Sequence, residues 1–163
     1  MQSITCPFTI LIDDRERVGG YTFTGLQADA DQQHQSLIIP TREKRLATGD
    51  YSIDGLENLV TIERKTLADL YHTLGQCRDR FRAEHERMAE LAFAAVVIES
   101  SLATAIAQPP NDSRLHPVCV YRTWLAWSQR YGVHWWWVPG RAGAEKTTFH
   151  ILRFFYQDHN KAR

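Results

Sequence analysis

Short apolar runs rich in β-branched and aromatic residues alternate along this chain with longer segments of helical periodicity. The runs lie at residues 8–12, 36–39, 59–63, 94–99 and 133–138. Their length and composition are typical of buried strands. Strands that alternate with helices form layered α/β domains, because each helix covers a face of the sheet. The pattern therefore predicts an α/β fold, and the 163 residues are enough for a single domain spanning 1–163.

Capping residues and periodicity indicate where the helices lie. Thr66 is a favourable N-cap, and Asp69 follows at the capping-box position. Gly75 marks a point where this helix can break. Apolar side chains at helical spacing predict further helices over 76–91, 118–131 and 144–157. Asp54-Gly55 predicts a hairpin turn before the strand at 59–63, and the polar segments 25–36 and 108–117 indicate loops, the first with a short helix as an alternative.

Charge and cysteine content narrow the class of protein. Lys and Arg total 19, as do Asp and Glu, so the net charge is zero. This balance argues against indiscriminate coating of nucleic acid, but it leaves room for a local basic groove. Three widely spaced cysteines predict neither a disulfide framework nor a zinc site. Without a signal peptide or a run of about 20 apolar residues, we expect an intracellular protein, cytoplasmic in a prokaryote or phage and nuclear in a eukaryote.

Carboxylates and a lysine cluster around the predicted hairpin. Asp50 precedes one strand, and Glu63 lies at the end of the other. Because side chains alternate along a strand, Glu63 and Lys65 point to the same face. Mg²⁺ is bound by one or two carboxylates together with water and substrate phosphate. An ammonium group beside such a site orients or deprotonates the attacking water, or stabilises negative charge on the phosphate.

The wider pattern resembles the nuclease domain of the XPF/Hef family of structure-specific endonucleases. The resemblance rests on GDY at 49–51 and on IERKTLAD at 62–69, which follows the family signature V/I-E-R-K-x-x-x-D. IDDRE at 12–16, the arginine-rich segment 76–88 and VVIE at 96–99 also agree with the family pattern. The resemblance covers nearly the whole chain. It implies a restriction-endonuclease-like α/β/α sandwich in three layers with a central mixed sheet.

The resemblance also implies a chemistry and a set of site residues. The expected activity is Mg²⁺- or Mn²⁺-dependent endonucleolytic cleavage of branched or flapped DNA, in repair or recombination. The metal positions correspond to Asp13, Asp50 and Glu63, and the catalytic positions to Asp50, Glu63, Lys65 and Asp69. The accessory positions near the substrate correspond to Arg15, Glu16 and Arg64. Family members often carry a helix-hairpin-helix module that this chain lacks, so we expect a homodimer or an adaptor protein that supplies DNA binding.

Several of these residues also have ordinary structural interpretations. Asp69 can serve as a helix cap, Asp50 as a turn residue, and Glu63 with Lys65 as an exposed ion pair. Arg78 and Arg82 follow the motif and are predicted to face DNA phosphates. The alternative is a solvated helix face on which they pair with neighbouring acids, among them residues 79, 84, 86 and 90.

Two further interpretations remain open at the level of sequence. The three consecutive tryptophans at 135–137 favour a strand covered on both faces over a base-stacking surface. For function, the alternatives to a branch-specific nuclease are a catalytically silent module that binds DNA junctions or docks a protein, and a sequence-specific restriction-type nuclease. The intact set of carboxylates and lysine favours the enzyme.

Overall fold

The computed structural model describes residues 3–16, 19–27 and 35–162, and in these ranges it contains eight strands and five helices. The strands are β1 (Ser3–Thr5), β2 (Ile10–Ile12), β3 (Ser36–Ile38), β4 (Thr41–Glu43), β5 (Tyr51–Ile53), β6 (Val60–Lys65), β7 (Phe93–Ile98) and β8 (His134–Trp137). The helices are α1 (Leu67–Gln76), α2 (Arg78–Met88), α3 (Leu102–Ala107), α4 (Pro117–Tyr131) and α5 (Arg141–Lys161).

A mixed six-stranded sheet forms the centre of the molecule, with the strand order β4-β2-β5-β6-β7-β8. Strand β5 is antiparallel to both of its neighbours, β2 and β6, whereas β6, β7 and β8 run parallel, as do β2 and β4. Strands β1 and β3 form a separate parallel pair. The predicted hairpin is present as β5 and β6, joined through the turn at Asp54-Gly55, where glycine adopts a φ of +80°.

Helices cover both faces of this sheet. On one face, Phe149 and Leu152 of α5 pack in a buried cluster with Ile62 and Val97. On the other face, α1, α2 and α4 form a second apolar cluster against the alternate side chains of β7, which include Val96 and Ile98. The period of two along β7 thus divides its side chains between two cores. The predicted three-layer α/β/α arrangement with a central mixed sheet is confirmed.

Helix α1 begins as the sequence predicted. The Thr66 hydroxyl accepts a hydrogen bond from the Asp69 N–H at 3.1 Å and donates one to the Asp69 carboxylate at 2.6 Å. The break between α1 and α2 falls at Cys77, whose φ of −117° lies outside the helical range, rather than at Gly75. Because β6 ends at Lys65, this cap makes α1 begin directly after the strand that carries Glu63 and Lys65.

Three elements were not predicted, and one helix is longer than predicted. Strands β1 and β4 are polar and exposed, so they lack the apolar signature of a buried strand. Helix α3 has only six residues after its N-cap, Ser101. Helix α5 extends beyond the predicted 144–157 at both ends. Within the predicted loop or short helix at 25–36, Gln27 forms a bridge with Ser36, while residues 28–34 lie outside the described residues.

The tryptophans correct one expectation. Trp135 is buried, with 8% of its surface exposed, but Trp136 is 45% exposed. Strand β8 is the last strand of the sheet, and the helix layers leave the face of Trp136 and His134 open. The prediction of a strand covered on both faces is therefore wrong, because it assumed an interior position that β8 does not have.

The structure also describes the cysteines and the lengths of the helices. All three cysteines are free thiols, and they range from the buried Cys6 to the exposed Cys119. Across the described parts of the chain, no helix combines the length and the apolar character that a bilayer crossing requires.

Candidate active site

The hairpin of β5 and β6 fixes Asp50 by its backbone and by its side chain. The Asp50 N–H donates to the Ile62 carbonyl, and the Asp50 carbonyl accepts from the Asp13 N–H, each at 2.8 Å. The Asp50 carboxylate accepts a hydrogen bond from the Arg64 N–H, also at 2.8 Å. The strand pairing therefore holds this carboxylate next to the segment that carries Glu63 and Lys65.

Gly49 makes this close approach of the two strands possible. Its φ is +76°, a conformation that residues with a Cβ rarely adopt. A Cβ at this position would lie 2.1 Å from the Thr61 Oγ1, well inside van der Waals contact. The glycine that precedes Asp50 is thus required by both its backbone conformation and the lack of space.

Glu63 and Lys65 form a buried ion pair on the face of β6 covered by α2. The Lys65 Nζ lies 2.6 Å from the Glu63 Oε1, and the two side chains are only 14% and 7% exposed. The ammonium also lies 5.1 Å from the centre of the Phe81 ring. Burial alone would lower the pKa of Lys65, but the negative charge of Glu63 raises it above its ordinary value. Lys65 is therefore a protonated ammonium that donates hydrogen bonds.

Negative charge accumulates around Asp50. Burial raises the pKa of this carboxyl well above its ordinary value, and the charges of Glu63 and Glu16 raise it further. Each ionised group makes ionisation of its neighbour less favourable. A bound cation would offset this repulsion, so the electrostatics of the site fit a positively charged ligand.

The carboxylates available here suit Mg²⁺ or Mn²⁺ rather than a metal held entirely by protein ligands. Within residues 3–16, 19–27 and 35–162, no group of three or more histidine, cysteine, aspartate and glutamate side chains could hold a metal ion. Mg²⁺ commonly uses one or two carboxylates and takes its other ligands from water and substrate phosphate. Asp50 and Glu63 match that smaller set of protein ligands.

The structure gives Asp13 a role different from the predicted metal ligand. Its carboxylate, 1% exposed, accepts hydrogen bonds from the Arg15 N–H and guanidinium and from the Leu46 N–H, at 2.6 to 2.9 Å. Burial would raise the pKa of Asp13, but these hydrogen bonds outweigh it and lower the pKa. Both carboxylate oxygens are used by protein donors, so we leave Asp13 out of the proposed metal site, and Arg15 serves to hold it.

Arg64 lies on the opposite face of β6 from Lys65, as the strand period predicts. Its side chain is 11% exposed and pairs with Glu99 at 2.7 Å and with Glu16 at 3.2 Å. It also donates to the Gly19 carbonyl at 2.8 Å and covers the Tyr21 ring. The Tyr21 hydroxyl in turn donates to Glu99 at 2.8 Å. Glu99 is thus the principal partner of the Arg64 side chain.

The remaining predicted residues lie in contacts that hold helices. Asp69 is the capping partner of Thr66, described above. The Arg78 guanidinium donates to the Thr123 hydroxyl at 2.8 Å and lies over the Trp127 ring, so it joins α2 to α4. Arg82 is 51% exposed and pairs with Asp79 one turn away. Arg82 matches the interpretation of a solvated face on which arginines pair with acids, whereas Arg78 contacts α4 and no neighbouring acid among the described contacts. DNA contact by either arginine stays a prediction.

Sequence analysis missed Glu84 as a member of the site. Glu84 lies on α2 between the buried residues Phe81 and Met88. Its Oε1 accepts from the Gly49 N–H at 3.4 Å, and its carboxyl group is hydrogen-bonded to Glu63. Burial and the negative charge of Glu63 raise the pKa of Glu84 to about 7. The available signal was its position on the apolar stripe, three residues after Phe81.

His85 is a second buried polar residue beside the site. Its Nε2 accepts from the Trp135 indole N–H at 3.1 Å, and its Nδ1 is 2.9 Å from the Phe81 carbonyl. An imidazole that accepts at Nε2 carries its proton at Nδ1 and is neutral. Burial lowers the pKa of His85 to about 4. The residue thus serves as a neutral link between α2 and β8.

We expect the stability of this protein to fall on acidification because of His85. The pKa of this residue is about 4 in the folded state, against 6.5 for an ordinary histidine, so the unfolded state binds the proton first. The contribution of His85 to the free energy of unfolding is complete above pH 6.5, and it decreases by about 3 kcal/mol as the pH falls to 4. Urea denaturation across this range should show a steeper loss for the wild type than for His85→Gln. Parallel curves for the two proteins would contradict the assignment.

This chain resembles known proteins in sequence and in fold. The family model described as the ERCC4 domain matches residues 12–150. No curated protein matches the sequence significantly.

Two solved structures resemble the chain. One is XPF from Aeropyrum pernix, with a TM-score of 0.63 and 18% identity over 90% of this chain and 60% of that chain. The other is XPF from Aeropyrum pernix in complex with DNA, with the same TM-score and identity over 93% of this chain and 66% of that one. This chain therefore spans less than two thirds of the first of these proteins. The likeness confirms the predicted restriction-endonuclease-like fold.

Proposed function

Because the chain belongs to the ERCC4 domain family, a family of DNA nucleases, we propose that it is a divalent-metal-dependent endonuclease. Its substrates would be branched or flapped DNA in repair or recombination. The observation that carries the proposal is the arrangement of Asp50 and the Glu63–Lys65 pair on one hairpin, with negative charge in excess. A solvated ion pair on an edge strand would not be buried to this extent.

In this proposal the carboxylates of Asp50 and Glu63 hold Mg²⁺ or Mn²⁺. The metal, when bound, supplies Lewis acidity at the scissile phosphate and lowers the pKa of a bound water. Lys65, which is protonated, donates to the attacking water or to a phosphate oxygen, where negative charge develops. Water adds to phosphorus as the bond from phosphorus to the 3′ oxygen breaks in line with it. The water loses a proton to solvent and the departing 3′ oxygen takes one up, so cleavage leaves a 5′ phosphate and a 3′ hydroxyl.

Two neighbours support this site without contacting the phosphate in our proposal. Arg64 orients Asp50 through its backbone N–H, and its side chain holds the Gly19 carbonyl. Asp69 caps α1 immediately after Lys65, and this contact limits the movement of the end of β6. Both act as positioning residues.

We further propose that the protein acts as a homodimer or with an adaptor protein. An apolar stripe on α4 supports this partner requirement: Val118, Tyr121 and Leu125 are 42%, 42% and 37% exposed and follow the spacing of one helix face. Such a stripe is costly to leave in water and suits contact with another protein.

A substrate panel tests the proposed function. Wild-type protein should nick flap or fork DNA in Mg²⁺, cut linear duplex much less, and lose all cleavage in EDTA. Firm junction binding without cleavage in either Mg²⁺ or Mn²⁺ would instead support a catalytically silent module. Cleavage of linear duplex at defined sites would support a restriction-type nuclease. Sedimentation velocity on the same preparation would establish whether the active species is a dimer.

A further inference from the structure

Glu84 contacts both halves of the motif from a different layer of the fold. Its Oε1 lies 3.4 Å from the Gly49 N, directly before Asp50, and its carboxyl is hydrogen-bonded to Glu63. Helix α2 therefore reaches the start of β5 through this side chain, in addition to the contact of Phe81 with Lys65. Gly49 and Glu84 are 35 residues apart in the sequence, so the contact depends on the packing of α2 against the sheet.

The other acids of α2 do not share this environment. Asp79 has 89% of its side chain exposed and pairs with Arg82 on the surface. Glu86 is exposed, whereas Glu84 is half-buried and belongs to the same helical turn as the buried His85. An acid that only made the helix soluble would be expected on the exposed side with Glu86. The position of Glu84 thus calls for a specific explanation.

We propose that Glu84 is a positioning residue of the metal site, an inference that rests on the proposed function. Ligating carboxylates are usually held by partners outside the first coordination sphere, which fix their orientation and raise their affinity for the metal. Glu84 holds the Glu63 side chain and the Gly49 backbone in one arrangement.

Metal binding without DNA is the measurement that tests this proposal. Isothermal titration with Mn²⁺ should show that Glu84→Ala, which keeps neither contact, weakens binding about 10- to 100-fold, the range for lost outer-sphere partners. Glu86→Ala on the exposed face of the same helix should bind Mn²⁺ like the wild type. In cleavage assays, Glu84→Ala should require correspondingly more Mn²⁺ for half-maximal rate and should recover at high Mn²⁺. A purely structural role would lower the melting temperature without this shift.

The outcomes separate this proposal from the proposed function. Equal Mn²⁺ affinity for Glu84→Ala and the wild type would overturn it, as would an equal loss in Glu86→Ala. If Glu84→Ala does not fold, Glu84→Asp carries the test, because its shorter side chain cannot reach Gly49 and should bind Mn²⁺ more weakly; unchanged affinity would overturn the proposal. A wild type that binds Mn²⁺ but cuts no DNA would refute only the nuclease, and one that binds no Mn²⁺ would refute both.

Discussion

Replacement of Asp50 by asparagine should lower the rate of DNA cleavage by about 10³-fold, the scale of a lost transition-state interaction, while it stabilises the fold. The asparagine side-chain oxygen can still accept from the Arg64 N–H, so the hairpin remains intact. The pKa of Asp50 is raised in the folded state by burial and by Glu63 and Glu16. Such a group stabilises the fold only below its folded pKa, and its ionisation costs stability as the pH rises.

The stability gain of Asp50→Asn should therefore be larger at pH 8 than at pH 5. Urea denaturation at the two pH values and single-turnover cleavage in Mg²⁺ measure both effects. Asp54→Asn is the matched control, because Asp54 lies in the same hairpin but pairs on the surface with Arg42. An Asp50→Asn protein that cuts flap DNA at the wild-type rate would eliminate the carboxylate from the mechanism.

Replacement of Lys65 by methionine should remove cleavage and destabilise the protein. Loss of the ammonium removes charge stabilisation at the phosphate, which we expect to cost about 10²- to 10³-fold in rate. It also leaves Glu63 as a buried carboxylate without its 2.6 Å partner. Breaking a buried pair in this way typically costs about 3–5 kcal/mol. The free energy of unfolding from urea denaturation should fall by about this amount.

A double variant separates the two effects of Lys65. Glu63→Gln together with Lys65→Met removes both charges, so most of the stability should return while cleavage remains absent. The surface pair of Lys44 and Glu57 provides the control, since Lys44→Met should cost at most about 1 kcal/mol. A Lys65→Met protein as stable as the wild type would show that the Glu63–Lys65 pair is not held in the buried form described above.

The sequence was most informative where local rules coincide with tertiary structure. The period of two along β6 correctly placed Lys65 and Arg64 on opposite faces, and Thr66 correctly marked the start of α1. Both features depend on neighbours within a few residues. The layered α/β class followed from the alternation of apolar runs with amphipathic segments, whereas the three-layer arrangement was implied by the family resemblance.

The sequence was least informative where contacts join distant segments. Nothing near Asp13 indicates that the N–H of Leu46 completes its hydrogen bonds. Helical periodicity places Glu84 beside the apolar stripe of α2, but it does not indicate that the side chain faces Gly49, because that contact depends on how α2 packs over the hairpin. Strand β8 shows the same limit, because its apolar composition did not indicate that it lies at the edge of the sheet.

The double use of Arg64 restricts how this region can evolve. Its backbone N–H donates to the Asp50 carboxylate. Its guanidinium, on the opposite face of β6 from Lys65, donates to Glu99, Glu16 and the Gly19 carbonyl. Lysine would preserve the charge but not the planar fork that reaches three acceptors at once. A substitution at position 64 therefore disturbs two sets of neighbours at once. This arginine could be replaced in evolution only if several residues far away in the chain changed as well.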